Sequence, residues 1–515
     1  MQGRKASPET SLFIYQDPYR ELPRSRFYEA LAQHLELGWV REMTAGLYAA
    51  GVGRPSLDPV VFVKLMLVAY FENIVGDSEL AFRAADSLTI RRFLGYGLEE
   101  GTPERTTLLK TRQRWPAEVF AEIFLRVLEQ LAGVGLVKGA HLGTDTVLID
   151  ANAAMESLRH REFGCRYEEF VRALYGQEGS GAREVAAQDA QRPQKGSNAE
   201  WVSETDPEAA VAVHPDGHTA LSYRLEATVD LETGAIVQIG AESGKVRDNV
   251  DLPQRVEEAQ ANLARLGMQA ESITADRGHH SEENVIALEA LGIDPILRAR
   301  APAGRPGFRA QDFRYLPEED VYLCPAGARL TPRGAATAEE GGRYQASGTR
   351  CQRCEHFGVC TRSAQGRSLT RATLCAEVAR NRERVRSVEG RWLLDQHRQR
   401  AEGPWSYAKL YGGLARMAPR GLENALKKAL LQGVGWNVMK LIAHLTGLRP
   451  RGRSEARSSL LRAGLALVAV LHVRGARVSA RYRPRCNRSG PEASPPRLHS
   501  RQCNSRSDAP LSQGC

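Results

Sequence analysis

The stretch "SITADRGHHSEENVIALEALGIDPIL", Ser272 to Leu297, decides how the middle of this chain is read. Ser272, Ile273, Thr274 and Ala275 make a short β-branched and apolar run, which predicts a buried strand. Asp276 stands where that strand ends. Gly278 then breaks the chain, and Ser281 opens a helix with Glu282 and Glu283 in its first turn. "DPILRA" beyond it reads as another strand. A carboxylate at the carboxyl end of a buried strand is a frequent place for a catalytic or metal-binding group. It is also a frequent place for a turn or helix-capping aspartate. The stretch alone does not choose between them.

Working outward, "GAHLGTDTVLIDANA" contains a strand from Leu142 to Ile149, and "TALSYRLEATVDLETGAIVQIGAESG" reads as two strands joined by a turn at Glu232, Thr233 and Gly234. "LPQRVEEAQANLARLG" is a helix ending at Gly267. A strand, a hairpin, then helix, strand, helix, strand predicts an α/β fold built on a mixed sheet. Residues 25 to 135 instead repeat apolar residues at three- and four-residue spacing, with Asp58–Pro59 and Asp77–Ser78 as helix starts. Within them Arg105, Lys110, Arg112 and Arg114 form a basic cluster, which suits either DNA or a solvated helix face. Domains are therefore expected at 1–135 (helical, a candidate DNA-binding module), 136–300 (first part of an α/β core), 301–376 (Cys-rich insertion), 377–445 (helical) and 446–515 (tail).

The net charge is +9, but Thr446 to Cys515 alone carries 14 arginines, no lysine and three acids, a net +11. The rest is mildly acidic at −2. The tail reads either as a nucleic-acid-binding arm or as a disordered read-through extension, and its scattered Cys486, Cys503 and Cys515 favour the second reading. The N-terminus lacks the pattern of a signal peptide. The apolar run Ala463 to Val473 is about half of a bilayer span. A cytoplasmic protein, with no membrane partner, is expected. Its cysteines then read as thiols or metal ligands rather than disulfides.

Two-metal chemistry on phosphodiesters needs about three carboxylates converging from separate elements. Asp145 in the first strand and Asp276 at the end of a later one are candidates; Asp150, five residues from Asp145, is a rival pointing to the other face. In "HRQRAEGPWSYAKLYGG", Arg398, Glu402 and Lys409 fall at i−4, i and i+7 of one helix face. That stripe suits a metal ligand flanked by phosphate-binding cations, or an ordinary solvated ion pair.

Four stretches together resemble the DDE transposases of bacterial insertion sequences over roughly residues 10 to 445. "GVGRPSLDPVVFVKLMLVAYFENIVGDSELAFRAADSLTIRRFLG" resembles that family's N-terminal helical module, and "TDTVLIDANA" its first-aspartate strand. "TADRGHHSEENVIALEALGID" resembles the second-aspartate segment, and "RQRAEGPWSYAKLYGGLARMAPRGLENALKKALLQGVGWNVMKLI" the C-terminal part with its Arg, Glu and Lys. The resemblance implies a ribonuclease H-like core and selects Asp145 over Asp150. It also implies Asp145, Asp276 and Glu402 as catalytic ligands of Mg²⁺ or Mn²⁺, with Arg398 and Lys409 on DNA phosphates. The activity implied is cleavage at element ends and joining of 3′-hydroxyls to target DNA. The partners implied are double-stranded DNA (terminal repeats and target) and a second copy in the DNA complex, with nucleoid association when bound. The chain departs from the family pattern at Asp395, where tyrosine is common, and at Pro404, which predicts a kink or restart of the helix. Glu389 lacks the flanking cations and ranks behind Glu402. The rivals are a decayed or domesticated DNA-binding copy, and a metal-dependent nuclease that cuts without joining.

Cys324, Cys351, Cys354 and Cys360 run C-x26-C-x2-C-x5-C, which predicts a structural Zn²⁺ site; Cys165 and Cys375 find no partner.

Overall fold

The computed structural model describes residues 2–3, 25–49, 51, 53, 55–175, 198–299, 308, 312–316, 318–333, 343–370 and 376–450. Its first part is helical: α1 (Arg26–His34), α2 (Trp39–Thr44), α3 (Pro59–Phe71), α4 (Asp77–Asp86), α5 (Leu88–Leu94), α6 (Arg105–Arg114) and α7 (Ala117–Gly133). Asp58 caps α3 by accepting from the Val60 amide at 2.9 Å, with Pro59 in the first turn. All of α3 but Lys64 is buried, as expected of a helix apolar on every side. Asp77 does not cap α4. It lies in the first turn and binds the Arg112 guanidinium through two contacts of 2.7 Å. Arg114 stacks its guanidinium 4.8 Å from the Tyr48 ring. Two members of the basic cluster thus make internal contacts.

The sheet follows with β1 (His141–Asp150), β4 (Ala210–Val213), β5 (Thr219–Asp230), β6 (Ile236–Ser243), β7 (Ser272–Ala275) and β8 (Asp294–Leu297). Between β1 and β4 lie a small pair, β2 (Leu158–His160) with β3 (Trp201–Ser203), and helix α8 (Tyr167–Tyr175). The main order is β4-β5-β1-β7-β8, with β6 also on β5. β5 runs antiparallel to β1, β4 and β6, while β7 and β8 run parallel to β1. This six-stranded mixed sheet is the ribonuclease H-like arrangement that the family resemblance implies.

Helices cover both faces. α9 (Leu252–Arg265) brings Arg255 over Gly240, whereas Gly433 of the last helix, α15 (Leu422–Thr446), packs on Ile239. Neighbouring residues of one strand point to opposite faces. α10 (Glu282–Ala290), capped by Ser281 through the Asn284 amide at 3.1 Å, packs on β8. α15 also packs on α1, α3 and α7. One apolar core therefore runs from Phe27 and Leu31 through Leu142, Leu225 and Ile273 to Val438 and Ile442. The helical region and the sheet share it.

The insertion forms β9 (Arg314–Leu316), β10 (Val321–Leu323), β11 (Arg329–Arg333), β12 (Arg343–Ala346) and β13 (Ser368–Thr370), with a short helix α11 (Gly348–Gln352). The strands pair antiparallel in order β13-β12-β11-β10-β9 over their own small core of Phe313, Leu330, Tyr344, Ala346 and Leu369. The chain then returns as α12 (Ala376–Arg386) against β8, α13 (Val388–Arg400) against β1 and β7, and α14 (Glu402–Tyr411) against β1. Gly143 is needed where α13 crosses: a Cβ there would lie 2.6 Å from Leu231 Cδ2 and 3.0 Å from His397 Nδ1.

Among the described residues no helix is long and apolar enough to cross a membrane. The tail beyond residue 450, including Ala463 to Val473, lies outside the described residues, as does Cys375.

Candidate active site

Register brings the two aspartates together. β1 and β7 are parallel, and their pairs run from His141 with Ser272 to Thr144 with Ala275. The next residue on each strand is Asp145 and Asp276, so both carboxylates leave adjacent strands at one level. Glu402 opens α14, which crosses β1, and Trp405 on that helix donates its indole N–H to the Asp145 carbonyl at 3.3 Å. The helix is interrupted at Ala401, which keeps helical dihedrals between α13 and α14. Pro404 supplies no N–H to the preceding turn, which accounts for the break.

The charge balance of the site is lopsided. Burial first, then the neighbouring charges of Asp276, Glu402 and Asp248, push the Asp145 carboxyl up to about 7. Asp276 goes the other way: the adjacent His397 imidazole, 3.5 Å away, holds its carboxyl below the ordinary range. Asp145 therefore takes a proton more readily than Asp276, which keeps its charge to lower pH. His397 is buried, with Nδ1 3.1 Å from the Thr274 hydroxyl and Nε2 3.5 Å from Asp276. Asp248 adds a fourth carboxylate, accepting from the Thr146 hydroxyl at 3.0 Å. It fits because residue 278 is glycine; a Cβ there would meet Asp248 Oδ2 at 2.7 Å. Behind it, Arg224 binds Asp251 and approaches Asp248 at 3.6 Å, and the buried His279 ring has no hydrogen-bond partner at either nitrogen.

Converging carboxylate oxygens suit a hard divalent cation such as Mg²⁺ or Mn²⁺. The carboxylates are spread more widely than one ion's shell. Among the described residues only Asp150, His214 and His218 bring three ligand atoms all within 4.8 Å of one another.

The expected cation stripe runs along β1 rather than converging on a point. Glu402 lies within electrostatic reach of Asp145, whereas Lys409 lies near Asp150 and Asp216, and burial holds its ammonium below the usual lysine range. Glu402 and Lys409 are seven positions apart on the helix, about 10 Å of rise. Arg398 is exposed and pairs with Asp395 at 3.5 Å. Glu389 is exposed in the first turn of α13 and is not among the acids acting on Asp145.

Cys324, Cys351, Cys354 and Cys360 line one cavity of about 590 Å³ together with His356. All four are free thiols. Burial raises the Cys360 thiol, and the neighbouring Cys351 and Cys324 push it further. Cys324 Sγ accepts from the Ala328 amide at 3.1 Å and Cys351 Sγ from the Arg367 amide at 3.4 Å. Cys165 sits apart, beside the Phe170, Val171 and Trp201 cluster.

Three family models match the chain. A "Transposase domain (DUF772)" covers residues 16–114, and two models described as "Transposase DDE domain" cover 186–323 and 323–442. The chain belongs to the DDE transposases of the insertion-sequence type. The two DDE matches of this transposase meet at Leu323, inside the small β-sheet, and the strand carrying Asp145 precedes both. Among solved structures, a piggyBac transposase synaptic complex with hairpin DNA is similar at 9% identity and a TM-score of 0.30, covering 84% of this chain and 76% of that one. A Mos1 transposase paired-end complex with the left transposon end is similar at 11% identity and a TM-score of 0.16, covering 51% and 66%. Scores this low carry no argument. No curated protein matches the chain.

Sequence reading missed Asp248, His397 and His279 in the transposase. His397 directly precedes the highlighted Arg398, but a histidine in a polar run gives no sign that it will be buried. Asp248 lies in the loop "GKVRDNVDLP", between Arg247 and Asp251, where nothing local singles it out.

Proposed function

We propose that this transposase cuts DNA at the ends of its element and joins the resulting 3′-hydroxyls to target DNA, using Asp145, Asp276 and Glu402 as the metal-holding carboxylates. The observation that carries this reading is the parallel β1–β7 register, which makes Asp145 and Asp276 neighbours under the start of α14. Two divalent ions held there would supply an activated attacking oxygen and a stabilised leaving oxygen. The protein's own part is positional. Trp405 fixes α14 against Asp145, and His397 keeps Asp276 ionised and oriented toward the shared site.

Arg398 and Lys409 take phosphates on either side of Glu402, the second about 10 Å along the bound strand. Double-stranded DNA is the partner, with two copies of the chain acting on paired ends. The protein works in the cytoplasm, on the nucleoid. The four cysteines of the insertion share one cavity, but no three of their sulfurs lie within 4.8 Å of one another, so a structural Zn²⁺ there would have to draw them together.

The test is incubation with element-end DNA and Mn²⁺. Joined products support the reading. Cut products alone would make the protein a nuclease, and a shifted band without cutting would make it a DNA-binding copy that has lost catalysis.

A further inference from the structure

A second cluster of ligating groups lies at the far end of β1. Asp150 closes that strand, while His214 and His218 flank the tight turn between β4 and β5, "HPDGH". The turn is locked: the His214 amide donates to the His218 carbonyl at 2.8 Å, and Gly217 takes φ +91, which favours glycine. The two imidazoles stack with centroids 4.1 Å apart. Both present Nε2 to one oxygen, Asp150 Oδ1, at 3.1 Å for His214 and 3.3 Å for His218. Tetrahedral zinc with bonds of about 2.0–2.1 Å separates its ligand atoms by about 3.3 Å, so these spacings are those of a ligand shell.

Two further features support a site. His218 Nδ1 lies 2.6 Å from Asp216 Oδ1, the outer carboxylate that fixes the tautomer of a metal-bound imidazole. His214 is buried beneath the turn, so its ring is held in place beside Asp150. The Ser222 hydroxyl, 2.8 Å from His214 Nε2, also reaches the Ala220 carbonyl at 3.3 Å. Lys409 is the rival cation for Asp150, weakened because burial disfavours its ammonium.

We propose that Asp150, His214 and His218 bind a borderline divalent transition metal, Zn²⁺ in preference to Mg²⁺, with Asp216 positioning His218. Two imidazoles and one carboxylate leave a fourth position open. The site is separate from the carboxylates around Asp145 and from the four thiols, and it ties the β4–β5 turn to the end of β1. It does not depend on the proposed chemistry of strand cutting and joining.

Co²⁺ titration of the full chain, followed by absorption, separates the sites. Thiolates give intense sulfur-to-cobalt charge-transfer bands, whereas nitrogen and oxygen ligands give only weak visible bands. The expected result is one Co²⁺ whose weak visible bands carry no sulfur charge transfer, separate from any Co²⁺ taken up by the thiols of the insertion. That signal should persist in Asp145→Asn and be lost in His218→Gln and Asp150→Asn. Asp216→Asn should weaken it about 10–100-fold. His218 is half-exposed, so His218→Gln should fold, and circular dichroism checks this. Binding unchanged in both His218→Gln and Asp150→Asn, or a spectrum with sulfur bands alone, would overturn the proposal.

Discussion

Asp145 and Asp150 lie five residues apart on one strand, yet their surroundings have little in common. Asp145 faces Asp276, Glu402 and Asp248 and is driven toward its protonated form. Asp150 faces two imidazoles and lies within reach of the Lys409 ammonium. The middle of β1 gathers four carboxylates, with Arg224 reaching Asp248 and His397 reaching Asp276, while the end of the strand sets one carboxylate against two imidazoles and a lysine. Chemically identical side chains are thus set to different tasks by what the neighbouring strands and helices carry past them. The first setting suits hard divalent ions and phosphate chemistry, the second a nitrogen-preferring metal.

The comparison is broken most directly by removing each carboxylate. Asp145→Ala or Asp276→Ala should lower cleavage of element-end DNA by at least about 10³-fold while DNA binding persists. Asp150→Asn should leave cleavage within about threefold. Equal losses at both positions on β1 in a gel cleavage assay would show that the two carboxylates serve one site.

The next effect is on stability. The Asp145 carboxyl titrates near 7 in the fold against an ordinary value of 3.8. The folded state thus binds the proton more tightly, and its stability falls as pH rises from about 4 to about 7, then levels. Asp145→Asn should remove this slope and stabilise the protein at pH 8 by roughly 1–3 kcal/mol. Mn²⁺ should reduce the same slope in the unaltered protein. Urea unfolding at pH 5 and pH 8 reads both, and a slope unchanged by the asparagine would place the strain elsewhere.

His397→Gln takes away the imidazole whose contact with Asp276 holds that carboxyl low. The acid limb of the pH–cleavage profile should move upward, with Mn²⁺ dependence weakened by about tenfold. A profile that keeps its acid limb would reduce His397 to a packing residue. The smallest expected effect is that of Trp405→Phe, which loses one hydrogen bond to the Asp145 carbonyl and should cost about 1 kcal/mol. Thermal unfolding measures it, and a destabilisation of several kcal/mol would mean that α14 depends on the indole for far more than this contact.

Much of the architecture was readable from pattern. The β-branched run Ser272–Ala275, the helix start at Ser281 and the Glu232–Gly234 turn all fall where periodicity and turn chemistry put them. The insertion was not legible as a sheet. Its strands run only three to five residues, too short for alternation to rise above a Pro, Gly and Arg rich background. The carboxylates were legible only as candidates. Choosing Asp145 over Asp150 came from the family resemblance, and the helical spacing of Glu402 and Lys409 could not say which acid each would approach. His397, Asp248 and the His214–His218 turn carried no readable signal, because nothing local marks a polar group as buried or paired.

By itself, then, the sequence determined the elements of this transposase: strands from alternation, helices from apolar spacing and caps, and the position of Asp276 at a strand end. These depend on interactions within a few residues, which the order of side chains dictates. Tertiary structure decided the register that makes Asp145 and Asp276 neighbours, the crossing of α14 that brings Glu402 to the middle of β1 and Lys409 toward its Asp150 end, and the proton balance between the aspartates. Those depend on groups more than a hundred residues apart, whose mutual charge and burial exist only once the sheet has closed.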